Sequence, residues 1–383
     1  MDTSIKKPWV ETPLIESATL SKQAGCRIFL KLELLQPSGS FKSRGIGNLI
    51  LSELKKNINK SHKVHFYSSS GGNAGLAAVH AARDLGCACT VIVPHSTKPL
   101  MIAKLRDAGA TEVIQHGASW FEADTYLRRE FIENQSIPSS GYGSGSSSEA
   151  GVSSGESVNV YVPPFDHPLI WEGNGSMIDE MARQLPPRED GNASASAFPA
   201  DVIVCSVGGG GLFNGVIDGL EKHIAANSSS SLSTFATGSS ALKKVRVLAV
   251  ETTGADSLAY SLRQGTLSSL PAITSQATSL GALTVAEKTL ANAQSPPAGI
   301  DVTSVVGSDA EAARGVLRLA DETRLEVELA CGISLEVALG ERLRELVPDL
   351  KPETRVVAVV CGGSNITVEM IAEYRSKLQN GWV

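Results

Sequence analysis

KVHFYSSSGGNAGLAAVHAARDLGCACTVIV, residues 63–93, is the stretch that decides the fold. Residues 63–68 (KVHFYS) mix Val, Phe and Tyr and read as a strand. A serine and glycine turn follows. Residues 73–85 are rich in alanine and read as a helix stopped by Gly86. Residues 88–93 (ACTVIV) form a short β-rich run that ends at Pro94. Strand, helix and strand in this order make one unit of a parallel sheet, because a parallel return needs a crossover helix.

The same rhythm extends in both directions. Residues 27–34 (RIFLKLEL) read as a strand and 43–56 as a helix. A helix is expected near 99–108, and a strand and helix pair over 111–134. Strands at 201–206, 245–250 and 355–360 follow, with helices at 211–223 and from about 365. The reading is an α/β protein with open, mostly parallel sheets and helices on both faces. Three polar tracts interrupt it, at 139–157 (SSGYGSGSSSEAGVSSGES), 186–199 and 227–240. Each is poor in core-forming residues and reads as a surface insertion, the first near a domain boundary.

Composition narrows the function classes. A chain of 383 residues that is 42% hydrophobic can build one large core or two ordinary ones. A net charge of −6 without a basic stripe argues against nucleic acid as a partner. The apolar runs are too short to span a membrane, and the polar start, with Lys6, Lys7 and Pro8, lacks the apolar centre of a secretory signal. A cytoplasmic protein is expected. The six cysteines form no CxxC pair and read as reduced thiols, Cys87 and Cys89 as core thiols on one strand face. The seven histidines show no metal-binding spacing, so no transition metal is expected.

Four turns that follow strands carry the chemistry. In PSGSFKSRG (37–45), Lys42 stands at a helix start, where the helix dipole and partial burial both disfavour its charge. A neutral amine suits Schiff-base formation, although alone such a lysine reads as an ordinary surface residue. SSSGGNAGLA (68–77) offers free backbone amides at a helix N-terminus and so suits a carboxylate; an N-capped turn is the plain alternative. SVGGGGLFNG (206–215) forms a backbone nest suited to phosphate. It fails the dinucleotide fingerprint, with Phe213 and Asn214 where glycine is needed, and no GK[ST] follows. In VVCGGSN (359–365), Cys361 and Ser364 sit like ligand contacts, with a core thiol as the other reading of Cys361. In an open parallel sheet such loops gather at the strands' carboxyl ends.

Together these segments resemble the pyridoxal-phosphate (PLP) dependent serine/threonine dehydratases of fold type II, from ETPLIES near residue 11 to CGGSN at 361–365. PPFDHPLIWEGNGS (163–176), AVETTGADS (249–257), LPAITSQATSLGALTV (270–285) and VELACGISL (327–335) resemble the eukaryotic L-serine dehydratases in particular. The three polar tracts have no counterpart in the compact members. The resemblance implies two twisted sheets in a large domain (1–42 with 159–383) and a small domain (43–158). It implies that Lys42 is the Schiff-base and catalytic lysine and that Phe41 packs on the cofactor ring. Gly208, Gly209, Gly210, Gly211 and Leu212 then hold the phosphate, Asn73 meets the ring hydroxyl, Cys361 faces the pyridine nitrogen, and Ser364 is a further cofactor contact. Ser70, Gly71, Asn73 and Ala74 receive the substrate carboxylate. A monovalent cation, usually potassium, is implied at Gly208, Ala255, Ser257, Leu280 and Ala282, with Glu251 nearby.

The implied reaction removes water and then ammonia from L-serine or L-threonine, in amino-acid catabolism and gluconeogenesis, by a homodimer. Serine racemases of this fold carry a serine where Gly71 stands, so little racemisation is expected. The chain leaves no room after CGGSN for a regulatory domain, and inhibition by isoleucine is not expected. Other lyases or synthases of the fold, and a non-catalytic PLP carrier, remain open at this point.

Overall fold

The computed structural model describes residues 5–57, 63–136, 157–188, 197–230 and 243–383. Most of the three polar tracts therefore lies outside the described residues. The chain divides into two compact units, Met1–Pro8 with Ile46–Pro164 and Trp9–Gly45 with Phe165–Val383.

The larger unit is built on a six-stranded sheet. Its strands are β1 (Leu14–Glu16), β2 (Arg27–Lys31), β7 (Val202–Ser206), β8 (Val245–Thr252), β9 (Ile300–Gly307) and β10 (Arg355–Val359). They lie in the order β1-β2-β10-β7-β8-β9, with only β1 antiparallel. β7 and β10 are buried at every position, as a parallel sheet covered on both faces requires. The neighbours β2, β10, β7 and β8 run parallel, so the loops that follow them leave from one edge. On one face, the helix Pro168–Gln184 packs against the helix Gly211–Ser230, where a Cβ on Gly175 would meet the Gly215 carbonyl at 3.0 Å.

The smaller unit holds a four-stranded parallel sheet of β3 (Lys63–Ser68), β4 (Ala88–Val93), β5 (Glu112–Gln115) and β6 (Ser157–Val162), in the order β5-β4-β3-β6. The opening stretch thus forms the strands and helix expected of it, with the helix at Asn73–Asp84.

Elsewhere the structure corrects the sequence reading. The strand expected over 27–34 stops at Lys31, because Glu33–Leu35 tighten into a 3-10 turn and the Leu34 amide donates to the Val360 carbonyl at 3.0 Å. The helix expected at 211–223 continues to Ser230, into the third polar tract. Ser157, assigned to the first tract, opens β6. The end of the second tract is not all surface: Ala197 and Phe198 join the core, and Arg355 donates to the carbonyls of Pro186 and Pro187 at 2.7 and 2.8 Å. Cys87 precedes β4 and is half-buried, while Cys89 is a core residue. All six cysteines are free. Among the described residues, no helix is long and apolar enough to cross a membrane, and no cluster of His, Cys, Asp or Glu is arranged to hold a metal ion.

Candidate active site

Lys42 is the first residue of the helix Lys42–Asn57. The residue is partly buried, and its amine stands 5.3 Å from the centre of the Phe41 ring. Burial pushes the amine down to about 8, with Cys361 acting in the opposite sense. Such an amine has a substantial neutral fraction near neutral pH, as addition to an aldehyde requires.

The loop that leads to Lys42 is pinned to the loop after β10. The Phe41 amide donates to the Cys361 carbonyl at 3.1 Å, and the Gly363 amide to the Gly39 carbonyl at 2.9 Å. Ser40 bridges Gly362, and the Ser364 hydroxyl donates to the Ser38 carbonyl at 3.2 Å. Asn365 donates its amide to Glu328 at 2.8 Å, and Ser279 donates to the same carboxylate. Segments at opposite ends of the sequence thus form one floor.

Two residues past Lys42, Arg44 anchors the helix from inside. The guanidinium is fully buried and reaches Glu33 at 2.7 and 2.8 Å and Glu180 at 2.6 Å through two nitrogens. Lys31 donates to Glu180 at 2.6 Å, to Gln184 at 3.0 Å and to the Thr12 carbonyl at 2.7 Å. Two cations therefore balance two carboxylates away from water. Burial works against the Arg44 charge, but both carboxylates outweigh it and raise its pKa. Burial lowers Lys31 even though the pairing lowers Glu180. Three acceptors within 3.0 Å of the ammonium keep it charged.

Cys361 is buried beside Ser206, the last residue of β7. The Ser206 hydroxyl has one hydrogen, and the Ala330 carbonyl lies 2.6 Å away to accept it. Ser206 is therefore the acceptor toward Ser334, at 2.9 Å, and toward the Cys361 sulfur, at 3.6 Å. The hydrogen bond with Cys331 lowers the Cys361 pKa from its ordinary 9.0, against the effect of burial, and the sulfur also reaches the Val359 carbonyl at 3.5 Å.

Gly208 to Leu212 follow directly. Gly210 has φ +96, and a Cβ on it would collide with Thr289, so glycine is needed there. The helix begins at Gly211, and its first amides have no acceptor within the helix. The turn is braced from behind: Ala286 and Thr289 donate to the Gly209 carbonyl at 3.0 and 3.4 Å, and Asn174 to the Gly211 carbonyl at 2.9 Å. The donor set fits pyridoxal phosphate, with amides at a helix start for its phosphate and one weakly basic amine for its aldehyde.

The residues expected to hold a cation border this turn. A Cβ on Gly208 would lie 3.3 Å from the Leu280 carbonyl oxygen, and the Ala282 amide donates to that carbonyl at 2.7 Å. Glu251, at the end of β8, is fully buried and accepts from the amides of Leu258 and Ala259 at 2.8 Å each. Burial pushes Glu251 up to about 8. Ala255 donates its amide to the Thr252 carbonyl at 2.8 Å in the turn before the helix Ser257–Gln264, and the buried Ser257 hydroxyl has no partner among the described residues.

Ser70 and Gly71 lie in the smaller unit, in the turn after β3, and Asn73 and Ala74 open the helix that follows. Gly72 donates its amide to the Ser70 hydroxyl at 3.3 Å. A Cβ on Gly71 would stand 2.8 Å from the Thr97 methyl and 3.0 Å from its hydroxyl, so Thr97 occupies the space a side chain at 71 would take. The sequence reading missed Thr97, Glu328 and Ser206. Ser206 opens the quoted glycine segment and Glu328 lies within VELACGISL, but their contacts with the other turns, like that of Thr97 with Gly71, are tertiary and leave no local pattern.

Comparison with known proteins identifies the family. Residues 5–362 match the family model described as pyridoxal-phosphate dependent enzyme. The L-serine dehydratase of Saccharomyces cerevisiae (strain AWRI1631) is 38% identical over 371 residues, 96% of this chain and 97% of that protein. The L-serine dehydratase/L-threonine deaminase of Bos taurus is 35% identical over 96% of this chain and 95% of its own length. The crystal structure of a fungal L-serine ammonia-lyase from Rhizomucor miehei superimposes with a TM-score of 0.77 at 31% identity, over 97% of this chain and 99% of that one. A family model that spans nearly the whole chain, together with relatives of this identity, shows that the chain belongs to the pyridoxal-phosphate dependent enzymes, in their fold type II branch.

Proposed function

We propose that the chain is a PLP-dependent lyase that eliminates water from L-serine, and from L-threonine, to give pyruvate or 2-oxobutanoate and ammonia. The observation that carries this reading is the Lys42 amine, pushed by burial down to about 8, on a floor shared with Cys361, whose sulfur meets Ser206 two residues before the glycine turn.

Lys42 would hold the cofactor aldehyde, and its free amine would take the proton from Cα of the substrate. The amides of Gly208 to Leu212 hold the phosphate, Phe41 and Asn73 flank the ring, and Ser364 lines the same floor. The turn of Ser70, Gly71, Asn73 and Ala74 receives the substrate carboxylate. Bound pyridoxal phosphate supplies an electron sink for the pair left on Cα. Cys361 would offer the pyridine nitrogen a sulfur in place of a carboxylate, and this would favour prompt loss of the β-hydroxyl. The resulting enamine hydrolyses to keto acid and ammonia.

The proposal extends to a potassium ion at the carbonyls of Gly208, Ala255, Leu280 and Ala282, with Ser257 and Glu251. The unpartnered Ser257 hydroxyl beside a buried carboxylate supports it. It also extends to a discontinuous catalytic domain, to a homodimer and to the cytoplasm.

The test is an absorbance spectrum of the purified protein, borohydride trapping with peptide mapping, and keto-acid release from serine and threonine. Label at Lys42 and release of both keto acids are expected. A Lys42→Ala protein that still forms keto acid at the parent rate would overturn the reading.

A further inference from the structure

The turn assigned to the substrate carboxylate is held by a group with no place in the chemistry above. Asp124 lies on the helix Trp120–Leu127 and is buried at 6% exposure. Its Oδ1 accepts from the Ser69 hydroxyl at 2.6 Å and from the Tyr161 hydroxyl at 2.6 Å, and its Oδ2 accepts from Arg128 at 2.7 Å. Arg128 also donates to the Tyr161 oxygen at 3.0 Å and stacks 4.2 Å over its ring.

A carboxylate only accepts, so the hydrogen positions follow. Ser69 is fully buried, and its single hydroxyl hydrogen points at Asp124. It cannot turn toward the carbonyls or the incoming carboxylate of its own turn. The bond spans 55 residues and fixes the residue that follows β3, next to Ser70, to a helix that covers the sheet. Charge matters as well. A bare aspartate behind an anion-binding turn would repel the substrate, whereas Arg128 and two hydroxyls offset it.

We infer that Asp124 is a positioning residue, acting through Ser69, that sets the substrate-carboxylate turn for binding. The inference rests on the reading that this turn receives the carboxylate. Loss of the Ser69 bond is expected to loosen the turn and weaken substrate binding about tenfold, with little effect on the chemistry that follows.

The experiment compares the PLP-loaded parent with Ser69→Ala, Asp124→Ala and Ser70→Ala. It uses steady-state kinetics on L-serine and absorbance titration with L-alanine, which has the carboxylate but no leaving group. Ser69→Ala and Asp124→Ala should raise KM about tenfold and weaken L-alanine by the same factor, with kcat within about twofold and the cofactor spectrum unchanged. Should Asp124→Ala fail to fold, Ser69→Ala, which loses one hydroxyl, still decides the matter. A Ser69→Ala protein with parental KM and parental L-alanine affinity refutes the inference, and so does a fall in kcat at constant KM. If Ser70→Ala also leaves both affinities unchanged, the carboxylate reading of the turn fails with it. If Ser70→Ala weakens them and Ser69→Ala does not, only the role of Asp124 falls.

Discussion

Replacing Arg44 with methionine keeps the side chain's length and apolar stem and removes its charge. The guanidinium serves Glu33 and Glu180 at once, with both nearly or fully out of water. In Arg44→Met, Glu180 keeps Lys31 at 2.6 Å, but Glu33 retains only Thr12, at 2.6 Å, and Gln36, at 3.2 Å, as donors. Breaking a buried ion pair from one side costs about 3–5 kcal/mol. The surviving donors place the expected loss near the lower figure, about 3 kcal/mol, which for a chain of this length corresponds to a fall in Tm of roughly 4–6 °C. Calorimetry of the cofactor-free protein at neutral pH measures it. The pH dependence provides a second reading. Burial opposes the Glu180 charge, but Arg44 and Lys31 outweigh it and hold the carboxyl below its ordinary 4.5. The stability this contributes is present above that value and is lost as pH falls through the folded pKa. The gap between parent and variant should therefore narrow under acid. A variant within about 2 °C of the parent at neutral pH, or a gap that widens on acidification, would refute the reasoning.

Four further outcomes are expected. Capture of pyridoxal phosphate by cofactor-free protein should accelerate as pH rises through about 8, because burial lowers the Lys42 amine and only its neutral form adds to an aldehyde; a flat stopped-flow profile across that value contradicts this. The parent protein should form almost no D-serine, since Gly71 has no side chain to donate a proton, and Gly71→Ser should need Thr97→Ala beside it to be accommodated; chirally resolved assays and Tm values check both. Replacing potassium with a bulky organic cation should lower turnover in the parent but not in Glu251→Gln, where the amide no longer matches the Leu258 and Ala259 donors. Cys361→Asp should slow keto-acid release, because a carboxylate beside the pyridine nitrogen prolongs the charge on Cα; faster release would count against the role given to the thiol.

Local pattern carried much of the fold. β3 and β4 were legible because β-branched and aromatic residues stand between breakers, and the helix between them because alanine runs into a glycine stop. β2 was overread. RIFLKLEL is rich enough in Ile, Phe and Leu to read as a strand throughout, and only the 3-10 turn at Glu33–Leu35, with the Leu34 amide on the Val360 carbonyl, ends it. The core role of Phe198 was hidden by the small polar residues around it. The four turns of the site announced themselves through glycine and a strand end. Their supports did not: Asp124 meets Ser69 and Tyr161 across the sheet, and Glu328 joins Ser279 to Asn365. Such pairings are tertiary facts with no periodicity to reveal them.

The position of β10 between β2 and β7 bears on how the molecule is made. Ile28 and Val202 both find their partner in Val356, so the centre of the larger sheet stays open until the ribosome has delivered Arg355–Val359. The four-stranded sheet draws on one continuous stretch, Ile46–Pro164, and can settle earlier. Until the last strand arrives, β2 and β7 present raw hydrogen-bonding edges. Nascent chains stalled before residue 355 should therefore be the ones that chaperones hold and that aggregate when released.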